Sequence, residues 1–247
     1  MRLHRARPHS EGEHTSRATR QWVTPQDGPT AVLRHTWSLL REEGLSGLAG
    51  GLYRFGLELR RHVIQNETYC LYEFVVDEAA RQAPVVPPQD VVVHVIETRE
   101  HVRKLVAEGY EDVMSTATQF QRRLDSGAVA VCAFVRKGFA SIDWMAFSEI
   151  AKLSFDQHPY KVDFEKGEAC TGGAFTVRRF RRRGIATYRF SREVQYMQER
   201  GCTIYRTAIR EDNTPSKRGV ERFGGQVRQQ GHFRRFLWWT SWGEAIL

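Results

Sequence analysis

The stretch Thr176-Val-Arg-Arg-Phe-Arg-Arg-Arg-Gly-Ile-Ala186 constrains this chain more than any other. Strand-forming residues from Glu168 to Val177 lead into it, and residues with a helical period from Arg182 to Arg200 lead out. A strand that turns straight into a helix leaves several backbone N–H groups without partners, and the helix dipole adds partial positive charge there. Gly184 lets a ligand come close to the backbone. Arg178, Arg179, Arg181, Arg182 and Arg183 place five cations within six residues. This combination predicts a phosphate site. A basic run taken alone reads equally as a solvated face or a nucleic-acid patch. Its position at a strand-to-helix junction, and not in a tail, favours the phosphate reading.

A chain of 247 residues can bury a good core in one or two domains. Its formal net charge of +8 asks for an anionic partner: a cofactor, a nucleic acid or a membrane surface. The longest apolar run, Ala128 to Val135, falls far short of the roughly 20 residues that span a bilayer. The N-terminus has charges but no apolar segment of the kind a secretory signal needs. Cys70, Cys132, Cys170 and Cys202 stand far apart in or beside predicted strands, which predicts reduced, mostly buried thiols in a cytoplasmic protein. The histidines show no metal-ligand spacing, so no metal is expected.

Residues 1–28 are rich in Arg, His, Ser and Glu and are expected to form a disordered basic tail. Residues 29–88 read as a helical extension plus a strand. Leu33, Trp37 and Leu40 predict a short helix, and Leu45, Leu48, Leu52, Phe55 and Leu59 a longer one. That longer stripe, over residues 45–61, reads either as packed on its own domain or as a membrane-surface or partner helix. Tyr69–Val76 predicts a strand, and Pro84, Pro87 and Pro88 a linker. From 89 to 247 the pattern predicts a strand at Val91–Ile96, helices carrying Val102, Leu105 and Val106 and then Val113, Ala117, Phe120 and Leu124, and a strand at Ala128–Val135. A hairpin at Lys137-Gly138 leads into Phe139–Phe147. Residues 148–167 lack a period and read as a functional loop with Asp156, His158, Tyr160, Asp163 and Glu165. After the strand Glu168–Val177 comes a helix with the stripe Ala186, Phe190, Val194 and Met197, capped by Gly201. A strand at Cys202–Ile209, a helix headed by Asn213 and Thr214, and an aromatic strand pair at Val227–Trp239 complete the chain. Strands and helices mixed in this order predict an α+β fold with a largely antiparallel sheet flanked by helices.

Arg181-Arg182-Arg183-Gly184-Ile185-Ala186 fits the Q/RxxGxG/A signature of the GNAT acyltransferase superfamily. Asn213-Thr214-Pro215-Ser216 leading to Phe223-Gly224-Gly225 is similar to its second signature, an asparagine-headed helix ending in a Gly/Phe turn. The resemblance covers about residues 90 to 240 and implies a GNAT-like mixed sheet with an extra N-terminal helical stretch and strand.

It further implies acetyl-CoA, or another acyl-CoA, as co-substrate, and direct acyl transfer to a primary amine. The backbone N–H groups and side chains of Arg181, Arg182, Arg183, Gly184, Ile185 and Ala186 would hold the pyrophosphate. Phe175, Thr176 and Val177 would contact the pantetheine arm, with the Val177 N–H at the thioester carbonyl. Asn213 and Ser216 would line the other wall. Glu168 is the candidate general base, with a surface carboxylate as the plainer reading, and Cys170 lies near a position where some members carry glutamate. Val220 stands where the family often has a tyrosine general acid, which leaves Ser216 or water to protonate the leaving thiolate. His158 and Tyr160 are candidates for acceptor contacts. The rival reading is a catalytically reduced module of the same fold that binds nucleic acid or an anionic membrane surface.

Overall fold

Residues 64–82, 85–116, 118–236 and 239–246 are described in the computed structural model of the protein. The tail expected over 1–28, the helices expected over 29–63 and the surface stripe over 45–61 lie outside them. Among the described residues, no helix is long and apolar enough to cross a membrane.

Eight strands form one sheet: β1 (Ile64–Val75), β2 (Val91–Ile96), β3 (Val129–Val135), β4 (Gly138–Ala146), β5 (Glu168–Thr176), β6 (Ile204–Arg210), β7 (Gln226–Phe236) and β8 (Trp239–Ile246). Their spatial order is β2-β3-β4-β5-β6-β1-β7-β8. Every neighbouring pair is antiparallel except β5 and β6. The β3–β4 turn places Arg136 and Lys137 at φ 48° and 69°. Two consecutive left-handed residues match the twist of a hairpin, so the turn fixes the register that follows.

Alternation along β3 sorts its side chains to two faces. Ala130, Cys132 and Phe134 join one core with Leu71, Ile142, Trp144 and Cys170. Helices α2 (Arg99–Ala107), α3 (Val113–Thr116) and α4 (Thr118–Asp125) cover that face through Val102, Leu105, Val113, Phe120 and Leu124. Val129 and Val131 join the opposite core with Tyr72, Phe74, Met145 and Tyr205. There α1 (Val76–Gln82), α6 (Ile185–Glu199) and α7 (Thr214–Glu221) contribute Val76, Ala79, Phe190, Val194, Met197 and Val220. Each such large apolar side chain contributes about 1.5–3 kcal/mol when fully buried.

The mixed, largely antiparallel sheet flanked by helices is the expected fold class. Several local expectations need correction. The first strand starts at Ile64 and stops at Val75, because Val76 opens α1 with Asp77 and Glu78 in its first turn. The aperiodic segment 148–167 holds a short helix, α5 (Glu149–Leu153), started by Ser148, whose hydroxyl accepts from the Ala151 N–H. Cys202 precedes β6 and does not belong to it. Ala186, placed on the buried stripe of α6 by its period, is exposed. The larger correction concerns β1. The sequence places it in an extension ending at 88, yet it sits inside the sheet between β6 and β7. A boundary at 88/89 therefore does not separate two packing units.

Candidate active site

The sheet opens between the one pair of parallel neighbours among the described strands. β5 and β6 pair from Glu168↔Ile204 to Thr171↔Thr207 and no further. Beyond that point β5 continues to pair with β4 alone, through Gly172, Phe175 and Thr176. β6 continues to pair with β1 alone, through Ala208, Ile209 and Arg210. The cause is local. Between Trp144↔Gly172 and Ile142↔Phe175 the β5 strand carries one residue more than β4. Gly173 takes φ +73° there, a left-handed backbone that favours glycine. This bulge bends β5 away and leaves two facing strand edges with unused backbone groups. Ala174 and Phe175 are exposed beside it.

Two helices start at the same open end, because parallel strands run in one direction and each is followed by a helix. Such a crevice beyond the carboxyl ends of parallel strands is where open α/β sheets bind ligands. After β5 the chain makes a 3-10 turn over Arg178–Phe180, and Gly184 then caps α6 with φ +74°. No side chain caps α6. The N–H groups of Arg182 to Ala186 donate to no backbone carbonyl among the described residues. Arg178, Arg179, Arg181, Arg182 and Arg183 are all exposed, and none forms an ion pair with a carboxylate of the described residues. Arg181 Nε donates to the Thr176 carbonyl at 3.0 Å, which ties the cation run to the end of β5. Ile185 turns inward and packs with Ala133 and Ala140, anchoring the first turn. At the other helix, Asn213 caps α7 by accepting from the Ser216 N–H at 3.3 Å. Arg181 to Ala186, Asn213 and Ser216 thus flank one opening.

Val177 does not have the role expected of it. Its N–H donates to the Ala140 carbonyl at 2.9 Å, toward β4. Strand groups alternate in direction, so the N–H groups that face the opening belong to Thr176 and, one repeat earlier, Ala174. Glu168 is poorly placed for the base role expected of it. It lies at the closed end, where β5 and β6 still pair, some eight residues and roughly 26 Å of strand from Thr176. Both of its oxygens accept from Arg206 at 2.9 Å, and one accepts from the Asp163 N–H at 2.7 Å. Burial raises the Glu168 carboxyl, but these hydrogen bonds and the Arg206 charge outweigh it and hold the group below its ordinary range. A carboxylate so engaged is a poor proton acceptor. Asp163 and Glu165 border a separate open depression of about 580 Å³ at that closed end. Cys170 is fully buried, and burial with the nearby Asp156 charge pushes its thiol up, away from nucleophilic thiolate. Tyr160 is buried too, with its hydroxyl on Asp156 Oδ2 at 2.9 Å. All four cysteines are free, and no cluster of three or more His, Cys, Asp or Glu side chains among the described residues could hold a metal.

The structure adds a buried charged group that sequence reasoning passed over. Arg189 and Glu193, one turn apart on α6, face Asp143 on β4, and all three are buried. Arg189 Nη1 lies 3.1 Å from Asp143 Oδ2 and also bonds Glu193 Oε1. Its Nε donates to Ser141 Oγ at 3.2 Å, and Ser141 in turn contacts the Phe175 carbonyl and Thr176 Oγ1 at 2.9 Å. The network therefore joins the phosphate-end helix to the lip of β5. Two carboxylates share one guanidinium, and Glu193 Oε2 has no partner among the described residues. Burial pushes the Glu193 carboxyl up to about 8 and raises Asp143 as well, despite Arg189. On the opposite face, Arg123 lies over the Trp144 ring at 5.2 Å, beside the Gly173 bulge. The missed signal was an i, i+4 Arg/Glu pair within the apolar face of α6.

No family model matches the chain, and no curated protein matches it. Among solved structures it is similar to a Drosophila protein at 11% identity and TM-score 0.47, over 78% of this chain and 67% of the other. It is similar to a tandem GNAT protein from the clavulanic acid biosynthesis pathway at 17% identity and TM-score 0.47, over 78% of this chain and 58% of the other. A GCN5-related N-acetyltransferase from Sphaerobacter thermophilus matches at 15% identity and TM-score 0.44, over 80% of this chain and 57% of the other. The fold of the chain is the one given by its own strand order, bulge and split sheet.

Proposed function

We propose that this chain is an acyl-CoA-dependent N-acyltransferase, with acetyl-CoA as the donor to test first and a primary amine as the acceptor. The observation that carries the reading is the split between β5 and β6, which ends at an uncapped helix start ringed by unpaired arginines. An extended arm between the two strand edges would satisfy backbone groups that the sheet leaves unused. Ala174 and Thr176 offer N–H donors to such an arm and to the oxyanion that forms on a thioester carbonyl. The backbone from Arg182 to Ala186 offers donors to a pyrophosphate, and the five arginines supply charge-assisted bonds to it. Ser216, at the second helix start, is the hydroxyl on that side able to hand a proton to a leaving thiolate.

Thermal unfolding with acetyl-CoA tests the reading. A ligand at 100 times its Kd stabilises the native state by about 2.7 kcal/mol. For a domain of this size that raises Tm by roughly 5–10 °C. An unmoved midpoint at millimolar acetyl-CoA, together with tight and salt-sensitive binding to DNA or anionic vesicles, would replace this reading with the binding-module one. Thiol release from acetyl-CoA over a panel of amines, aminosugars and peptides then identifies the acceptor.

A further inference from the structure

With Glu168 tied to Arg206, the proposed transfer lacks a group to take the proton from a protonated amine. One pair of side chains over the opening is built for it. The segment after α5 crosses the sheet on the face opposite α6. A Cβ on Gly172 would lie 3.1 Å from the Phe155 ring and 3.7 Å from Asp156 Cβ, which places Asp156 over β5 at the first residue of the split. Two residues later, the His158 ring packs at a tilt against Tyr69 of β1 with centroids 4.1 Å apart. Tyr69 is paired with Arg210, at the far end of the free edge of β6. Between them, Asp156 and His158 therefore bridge the gap from the β5 side to the β1 side of the opening.

The chemistry of the pair is specific. His158 Nδ1 lies 2.6 Å from Asp156 Oδ1, and the His158 backbone N–H donates to the same oxygen at 2.9 Å. The Tyr160 hydroxyl donates to the other oxygen. Burial raises the Asp156 carboxyl, but the bonds from His158 and Tyr160 more than offset it and hold the group below its ordinary range. An ionised carboxylate only accepts, so Nδ1 carries a proton, and in the neutral ring the lone pair sits on Nε2. No hydrogen bond engages Nε2 among the described residues, and the His158 side chain keeps 21% of its surface exposed. Phe233 and Trp242, with ring centroids 5.3 and 5.5 Å away, hold the imidazole from the side of β7 and β8. Lys152, wholly buried, donates to the His158 carbonyl at 2.6 Å and fixes the backbone. The neighbouring Tyr69 hydroxyl is turned away, donating to Glu67 at 2.6 Å, and Arg210 pairs with Glu67 and Asp212.

We propose that His158 is the general base of the acyl transfer and that Asp156 positions it. The assignment rests on the acyltransferase reading above. His158 Nε2 takes one proton from the ammonium group of the acceptor and passes it to water. The freed nitrogen pair forms the C–N bond to the thioester carbon. The C–S bond breaks with its electrons on sulfur, and the second proton shed by nitrogen ends on the thiolate. Ammonium and thioester thus give amide, thiol and one released proton. Asp156 holds the proton on Nδ1, which fixes the tautomer that presents Nε2, and stabilises the imidazolium formed in passing.

The test uses the full chain with acetyl-CoA labelled with carbon-13 at the acetyl methyl. In the bound complex, nuclear Overhauser contacts from that methyl to the His158 ring are expected. His158→Phe keeps the aromatic packing and deletes the base. It is expected to keep acetyl-CoA affinity while thiol release with benzylamine falls by about 10²-fold. The deficit should shrink with 2,2,2-trifluoroethylamine, which is largely unprotonated at neutral pH. Asp156→Asn should lower release and also move the nitrogen-15 signals of His158 toward the other tautomer, a change that a purely structural role would not produce. A bound complex without the Overhauser contact, or a His158→Phe protein that keeps more than a third of wild-type release, overturns the base assignment alone. Wild-type protein that fails to bind acetyl-CoA overturns the acyltransferase reading, and the base with it.

Discussion

The buried group at Asp143, Arg189 and Glu193 makes a prediction that needs no ligand. The perturbation is Glu193→Gln, which keeps the side-chain shape and an oxygen for Arg189 but cannot ionise. In the folded protein the wild-type carboxyl keeps its proton to about pH 8, because burial penalises the charge. In the unfolded chain it loses that proton near the ordinary value of 4.5. Between these limits the folded state holds one more proton than the unfolded state, so stability falls as pH rises. The contribution is fully present below the lower limit and lost above the upper one. Each pH unit inside the window costs up to about 1.4 kcal/mol. From pH 6 to pH 8, with titration under way at the upper end, wild type should lose about 2 kcal/mol relative to the glutamine variant. That corresponds to roughly 4–8 °C of Tm for a chain of this size. Thermal melts of both proteins at half-unit steps from pH 5 to 9 measure it, and the difference between the curves reports the titration of the Glu193–Asp143 pair. Parallel curves would refute the protonated-carboxyl reasoning, as would a wild-type Tm that rises against the variant.

Three further outcomes follow from other sites. Gly184→Glu should abolish acetyl-CoA binding in calorimetry while the fold survives, since a Cβ there meets only Pro88 at 3.8 Å and the left-handed backbone costs about 1–2 kcal/mol; retained affinity would remove the phosphate site from Gly184. Glu168→Gln should lower Tm through the weakened Arg206 pair yet leave thiol release within about threefold of wild type, and a loss near 10²-fold would restore Glu168 as a base. Gly225→Ala places a Cβ 2.6 Å from the buried Phe74 ring and 3.0 Å from the Val220 carbonyl, so chemical denaturation should show a loss of about 1–3 kcal/mol, and an unchanged midpoint would mean that this packing is looser than described.

What the sequence could reveal depended on whether the signal was local. Val91–Ile96 emerged with its observed bounds because a β-branched run is readable on its own. Asn213 fell at a helix start because capping chemistry is written within a few residues, whereas the helix expected from Arg182 begins only at Ile185, after Gly184. α5 escaped, since five residues cannot display a helical period. The role given to Val177 failed because a strand's pattern gives the direction of its side chains, whereas the use of its N–H depends on which neighbour lies alongside. Glu168 looked free for the same reason: Arg206 is distant in sequence and meets it only through the parallel pairing of β5 and β6. His158 was weighed as an acceptor contact, but nothing in a linear reading brings it to Tyr69 of β1.

The seat of β1 has a consequence for how the chain assembles. Its two partners are β6 and β7, so Tyr72 must find both Thr207 and Val227. Among the described strands β1 comes first in the chain, and those partners are the sixth and seventh. Pairing over such separations closes very long loops and slows folding. Until it happens, β6 and β7 each present a raw edge of unused hydrogen-bonding groups, the kind of surface on which chains aggregate. The β7–β8 hairpin is joined to the rest of the sheet only through β1. A chain shortened beyond Val75 should therefore lose the whole far side of its sheet, not merely one strand.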